Sequence, residues 1–144
     1  MKLISYGNGD EFDLSMWNEV KNSYSKPHGG LWTSPIDSKY GWKNWCQDNE
    51  FGDLSTSFQL EIKGNVFTIT NIDDLKNMPT IKLCETWFYS IDFELMKKNG
   101  IDAIYLTDIG EVKTRYVLWY DANISFYGWD CETVFIMNKD CVIT

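Results

Sequence analysis

The stretch Asp130-Cys131-Glu132-Thr133-Val134-Phe135-Ile136-Met137 constrains this chain more than any other. Four apolar residues in a row read as a strand over 133–137. Alternation puts Glu132, Val134 and Ile136 on one side and Thr133, Phe135 and Met137 on the other. Both sides are largely apolar, so the strand is expected in the middle of a sheet. A carboxylate at the head of such a strand loses hydration, which is unfavourable unless something offsets it. Glu132 is therefore expected to stand, partly desolvated, at the mouth of a cleft, with Asp130 two residues before it. The plainer alternative is a strand-end charge that reaches solvent.

The 144 residues suit one domain spanning 1–144. Aromatic residues make up 16% of the chain and are spread along it, enough for a sizeable core and a ring-lined cleft. The net charge is −8 and the only arginine is Arg115. That field repels a phosphate backbone, which argues against nucleic acid as a partner, and it leaves few cations to clamp a polyphosphate. No apolar run is long enough for a membrane span, and no signal peptide is read at the N-terminus. The four cysteines, Cys46, Cys84, Cys131 and Cys141, have no CxxC spacing. With one histidine, His28, they do not suggest a zinc site, so no metal is expected. They read as reduced thiols of a cytoplasmic protein. The alternative, two disulfides in a secreted protein, lacks the signal.

Along the chain, a strand is expected at Lys2–Tyr6, ended by Gly7-Asn8-Gly9-Asp10. A helix is expected over 13–23, with Leu14, Trp17 and Val20 on one face. Leu31-Trp32-Thr33 reads as a short strand. Ser34-Pro35-Ile36-Asp37 has the form of a helix start, with Ser34 as cap and Pro35 at the first helical position, the helix running to about Cys46. Strands follow at 57–62 and 66–70, joined by Lys63-Gly64-Asn65. A short helix starts at Asn71, and another is expected over 90–98, closed by Asn99-Gly100. Residues 84–89 stay ambiguous. Strands are expected at 103–107 and 117–120. Several strands with a few short helices between them give an α+β domain.

Two further stretches suit a ligand. Gly29-Gly30 precede a strand, where glycine allows close backbone approach. The aromatics that follow, Trp32 and then Tyr40, Trp42 and Trp45, offer a stacking platform for a flat ring; the alternative is a turn followed by aromatic core. Ser5-Tyr6-Gly7-Asn8 ends the first strand with a hydroxyl and backbone amides, or is an ordinary strand–turn junction.

The order of these features resembles the ADP-ribosyltransferase superfamily, particularly its poly-ADP-ribose polymerase and diphtheria-toxin-like branch. The matching stretches are Tyr6-Gly7, Gly30-Leu31-Trp32-Thr33, Trp45-Cys46 and Glu132. The strand GIDAIYLT, the pair Asp130-x-Glu132 and LSTSF at 54–58 are similar to other segments of the superfamily. The resemblance implies a split, strongly bent, antiparallel or mixed β-sheet core with short flanking helices. It departs most at Tyr6, where the polymerase-like branch has His and the other has Arg.

The resemblance also implies NAD as a substrate and cleavage of its nicotinamide–ribose bond through an oxocarbenium-like transition state. A fixed carboxylate on the ribose stabilises that state most as charge develops, the role implied for Glu132, with Asp130 orienting an acceptor. Gly7 would hold the nicotinamide amide. Trp45 would stack on the ring, with Tyr40 as a second candidate. Gly30, Leu31, Trp32 and Ser34 would line the pocket, and backbone amides, with Lys26 or His28, would meet the diphosphate; the alternative for His28 is a solvated loop residue. The expectation is a mono-ADP-ribosyltransferase acting on a protein or another intracellular macromolecule; small size and the missing secretion signal suit an intracellular effector of phage or mobile-element kind. Two alternatives stay open: a non-catalytic nucleotide binder or acidic inhibitor on the same fold, and an NAD glycohydrolase with water as acceptor.

Overall fold

The computed structural model describes residues 1–23, 26–83, 89–115, 126 and 128–143. The apolar run near the C-terminus is the central strand, as its two-sided pattern requires. This strand, Thr133–Ile136, is buried at every position. It lies between Leu31–Pro35 and Ala103–Leu106, antiparallel to both. In chain order the strands are β1 (Lys2–Tyr6), β2 (Leu31–Pro35), β3 (Ser57–Glu61), β4 (Val66–Ile69), β5 (Thr80–Lys82), β6 (Tyr89–Ile91), β7 (Ala103–Leu106) and β8 (Thr133–Ile136). The helices are α1 (Trp42–Asn49), α2 (Ile72–Leu75), α3 (Phe93–Lys98) and α4 (Asp108–Thr114).

Six strands form one mixed sheet in the order β3-β1-β2-β8-β7-β4, and β5 pairs with β6 apart from it. β4 and β7 are parallel, and the other neighbours are antiparallel. The fold is α+β. Its two faces carry separate cores. Ile69, Ile104, Leu106, Phe126, Trp129, Phe135 and Met137 fill one. Leu3, Phe58, Leu60, Ala103, Val134 and Ile136 fill the other. Alternation along β8 feeds both, and each such side chain, fully buried, contributes roughly 1.5–3 kcal/mol.

β2 is shared between two neighbours. Its first half, 31–33, pairs with β8, and its second half pairs with β1 through Ser34↔Ile4 and Pro35↔Leu3. Beyond Ile4, β1 stays paired with β3 as far as Tyr6↔Ser57. Across the gap to β2, the Ser5 hydroxyl donates to the Trp32 carbonyl at 3.1 Å in place of ladder bonds.

Several sequence expectations are corrected. The segment 13–23 is not a helix: only a 3-10 turn forms at Leu14–Met16. Leu14 is exposed, Trp17 packs on one core and Val20 belongs to the other, so the chain crosses an edge instead of presenting one face. Ser34 and Pro35 end β2 instead of opening a helix, and α1 starts at Trp42. The strands on either side of Lys63-Gly64-Asn65 form as expected but lie far apart in the sheet, β3 against β1 and β4 against β7. Ser90 and Ile91 are strand, and α3 starts at Phe93, where the Asp92 side chain accepts from the Leu95 N–H. α4 was not expected from the sequence; the Thr107 side chain caps it by accepting from Gly110 N–H. The expected strand at 117–120 and the ambiguous residues 84–88 lie outside the described residues.

Cys46, Cys131 and Cys141 are free and buried. Among the described residues no helix is long and apolar enough to cross a membrane.

Candidate functional site

A cleft of about 280 Å³ opens where β1 parts from β2. β1 contributes Ile4 and Tyr6 to its wall, and Asn8 follows. β2 contributes Trp32, Thr33 and Ser34, and α1 contributes Trp42 from its first turn. The approach to β8 contributes Trp129, Asp130, Cys131 and Thr133, and Lys26 completes the lining. The walls are mostly apolar rings with a few polar groups, the composition of a small-molecule site.

The rings are held by packing. Trp32 lies 4.4 Å from Phe135 between centroids and meets Trp129 edge-on at 4.8 Å. Trp42 stacks on Trp45 at 5.1 Å and 15°, and Phe51 is edge-on to both. One buried hydroxyl ties the walls together. The Ser34 Oγ donates to the Glu132 carbonyl at 2.9 Å and accepts from the Trp42 N–H at 3.0 Å. Thus Ser34 does serve a helix N-terminus, but that of α1, eight residues on.

Asp130 is the carboxylate on the cleft wall. Arg115 reaches it at 3.1 Å and also reaches Glu111 at 2.9 Å, one turn back on α4. These side chains are 16–23% exposed, so the pairs are shielded from solvent more than surface pairs are. Next to Asp130, burial pushes the Cys131 thiol up to about 11, which keeps it protonated at neutral pH.

Glu132 is placed differently from the expectation. It is buried, at 8% exposure, as its position before the apolar run implies. But it does not line the cleft. Alternation sends Cys131 and Thr133 to the cleft side and Glu132 to the opposite face with Val134. There the Tyr105 hydroxyl donates to Glu132 Oε1 at 2.5 Å. Tyr105 pairs with Val134 in the register, which brings it to that face. Burial holds the Glu132 carboxyl above its ordinary range, the Tyr105 hydrogen bond opposes this, and Asp108 and Asp37 add to it. The same burial, with the neighbouring carboxylate, raises the Tyr105 phenol.

Of the other expected site residues, Tyr6, Trp32 and Ser34 meet in the cleft with Asp130. Gly7, Gly30 and Leu31 line a second, more open hollow of about 630 Å³, with Phe12 and Trp17. Trp45 sits behind Trp42, which takes the place at the cleft. Tyr40 is turned outward. Its hydroxyl donates to Asp48 at 2.7 Å, a bond that together with burial pushes its phenol up to about 12. Its carbonyl accepts from the Glu132 N–H at 3.1 Å. His28 is exposed.

Sequence reading missed Trp129, Cys131, Thr133 and Arg115 as neighbours of the site. Trp129 and Cys131 flank Asp130 in the chain, so the position of Asp130 was the available signal. Arg115 arrives from α4, which sequence did not reveal. Among the described residues no group of three or more His, Cys, Asp or Glu side chains is placed to hold a metal ion.

Compared with known proteins, the chain matches no family model, no curated protein and no solved structure.

Proposed function

We propose that the cleft between β1 and β2 takes the nicotinamide end of NAD, and that the chain transfers ADP-ribose to an intracellular macromolecule. The observation that carries this reading is the meeting of Tyr6, Trp32 and Trp42 with the carboxylate of Asp130 around one small cleft. A volume of about 280 Å³ suits one ring and its sugar, leaving the rest of a dinucleotide outside. Cleaving the nicotinamide–ribose bond builds positive charge on the ribose. A carboxylate fixed on the wall favours that state over the ground state. In this reading Asp130, held by Arg115, is that carboxylate, and Glu132 supports the fold from the other face. The order of motifs along the chain, similar to that of ADP-ribosyltransferases, supports the same assignment.

A second reading has its own support. Asp130 is already engaged by Arg115, Glu132 is turned away, and Tyr6 brings no charge. These features suit a protein that binds a nucleotide without cleaving it.

The test is incubation with labelled NAD and a cell lysate, using the wild-type chain, Asp130→Asn and Glu132→Gln. Transfer predicts label on a macromolecule, reduced about 10²–10³-fold by Asp130→Asn and retained by Glu132→Gln. Nicotinamide release without label makes the protein a glycohydrolase. Binding of NAD with neither product establishes the binder.

A further inference from the structure

Lys26 is the only cation among the described residues that line the cleft. Its ammonium stands 5.3 Å from the centroid of the Trp32 ring. Its stem runs beside Gly128, where an added Cβ would lie 3.4 Å from Lys26 Cε. Its field also reaches the Cys131 thiol, which it lowers. These contacts, with β2 and with the segment 128–131, put the charge at the cleft and not out in solvent.

Lys26 has no carboxylate partner among the described residues. The contact with Trp32 is a weak cation–π interaction at a half-buried site, less than a charge-assisted hydrogen bond to an oxyanion provides. The other charges at the cleft are matched: Arg115 bridges Asp130 and Glu111. The lining itself carries one cation, Lys26, and one carboxylate, Asp130. The cleft is therefore locally balanced in a chain of net charge −8, and Lys26 is its uncommitted donor.

We infer that Lys26 makes the cleft selective for a ring ligand that carries a phosphate, a nucleotide in preference to the corresponding nucleoside or free base. The inference rests on the proposed function for the presence of a nicotinamide-type ring. It adds the group that distinguishes ligands of that class. A phosphate on the sugar of a bound ring would exchange the Trp32 contact of Lys26 for a charge-assisted hydrogen bond.

Trp32, Trp42 and Trp129 make intrinsic fluorescence a direct readout of occupancy. The full chain is titrated with nicotinamide mononucleotide and with nicotinamide riboside, as wild type, Lys26→Met and Lys26→Arg. The expected result is about tenfold tighter binding of the mononucleotide by the wild type. Lys26→Met should bring mononucleotide affinity down to that of the riboside, with an unchanged thermal melt reporting an intact fold. Lys26→Arg should keep the preference. Raising the salt should weaken mononucleotide binding alone. A preference that survives Lys26→Met, or equal binding of both ligands by the wild type, overturns the role of Lys26 while leaving the proposed function standing. Failure of the wild type to bind either ligand overturns both.

Discussion

The hydroxyl of Tyr105 donates a 2.5 Å hydrogen bond to Oε1 of Glu132, on the face of the sheet turned away from the ring-walled cleft. A carboxylate that sequence pattern alone assigns to chemistry is thus satisfied within the fold by a neighbouring strand. The pairing has consequences for stability.

Burial raises the Glu132 carboxyl in the folded state above its ordinary value. The folded chain then holds this proton more tightly than the unfolded chain does. Stability from this group should fall as pH rises through the ordinary carboxyl range towards the raised value, and level off above it. Glu132→Gln should abolish that slope, and Tyr105→Phe should steepen it, because the lost hydrogen bond favours the charged form. Tyr105→Phe should cost about 1–3 kcal/mol at pH 8 and less at pH 4.5. Urea unfolding at the two pH values measures the difference, and equal deficits would refute it.

Ser34→Ala removes the donor to the Glu132 carbonyl and the acceptor for the Trp42 N–H in one step. Both groups lose their partner in a buried place, so the loss should be about 1–3 kcal/mol. The variant should also shift tryptophan emission to the red as Trp42 gains water. A destabilised variant with unchanged emission would show that Ser34 does not hold the cleft wall.

Gly30 and Gly100 both have positive φ, at 62° and 93°, but their surroundings differ. A Cβ on Gly30 would lie 2.6 Å from the Ile136 carbonyl and 2.7 Å from the Phe135 ring; on Gly100 it would meet nothing within 4 Å. Gly100→Ala should cost only the backbone strain, about 1–2 kcal/mol. Gly30→Ala adds a clash with β8 worth about 1–3 kcal/mol more. Thermal melts of the two variants side by side test the order.

Cys131, with its thiol pushed up to about 11, should alkylate slowly at pH 8 in the native chain and rapidly in urea. A ligand in the cleft should slow the native reaction further, since Cys131 lines it. Mass-resolved iodoacetamide labelling reads both effects, and native labelling as fast as in urea would contradict the burial.

What could be read in advance follows from what local pattern encodes. The strands at 57–61, 66–69, 103–106 and 133–136 show in the sequence because alternation and β-branched residues act within a few positions. The central place of β8 was legible for the same reason, from apolar residues on both of its sides. Which side opens was not. That depends on β1 leaving β2 after Ile4, a long-range pairing that no stretch near Glu132 records. The spacing of Leu14, Trp17 and Val20 suggested a helix because a period of three fits a helical face, yet tertiary packing sends Trp17 and Val20 to opposite cores. Ser34-Pro35 carried a genuine capping signal, read at the wrong distance, because the Trp42 N–H returns to Ser34 only after the intervening loop folds back.

The departure of β1 from β2 also sets what variation the cleft can absorb. Its width comes from main-chain paths fixed by β3 on one flank and β8 on the other. Exchanging Tyr6, Trp32 or Trp42 for other side chains would re-furnish the hollow without closing it. Descendants of this scaffold can therefore change their guest while keeping the doorway.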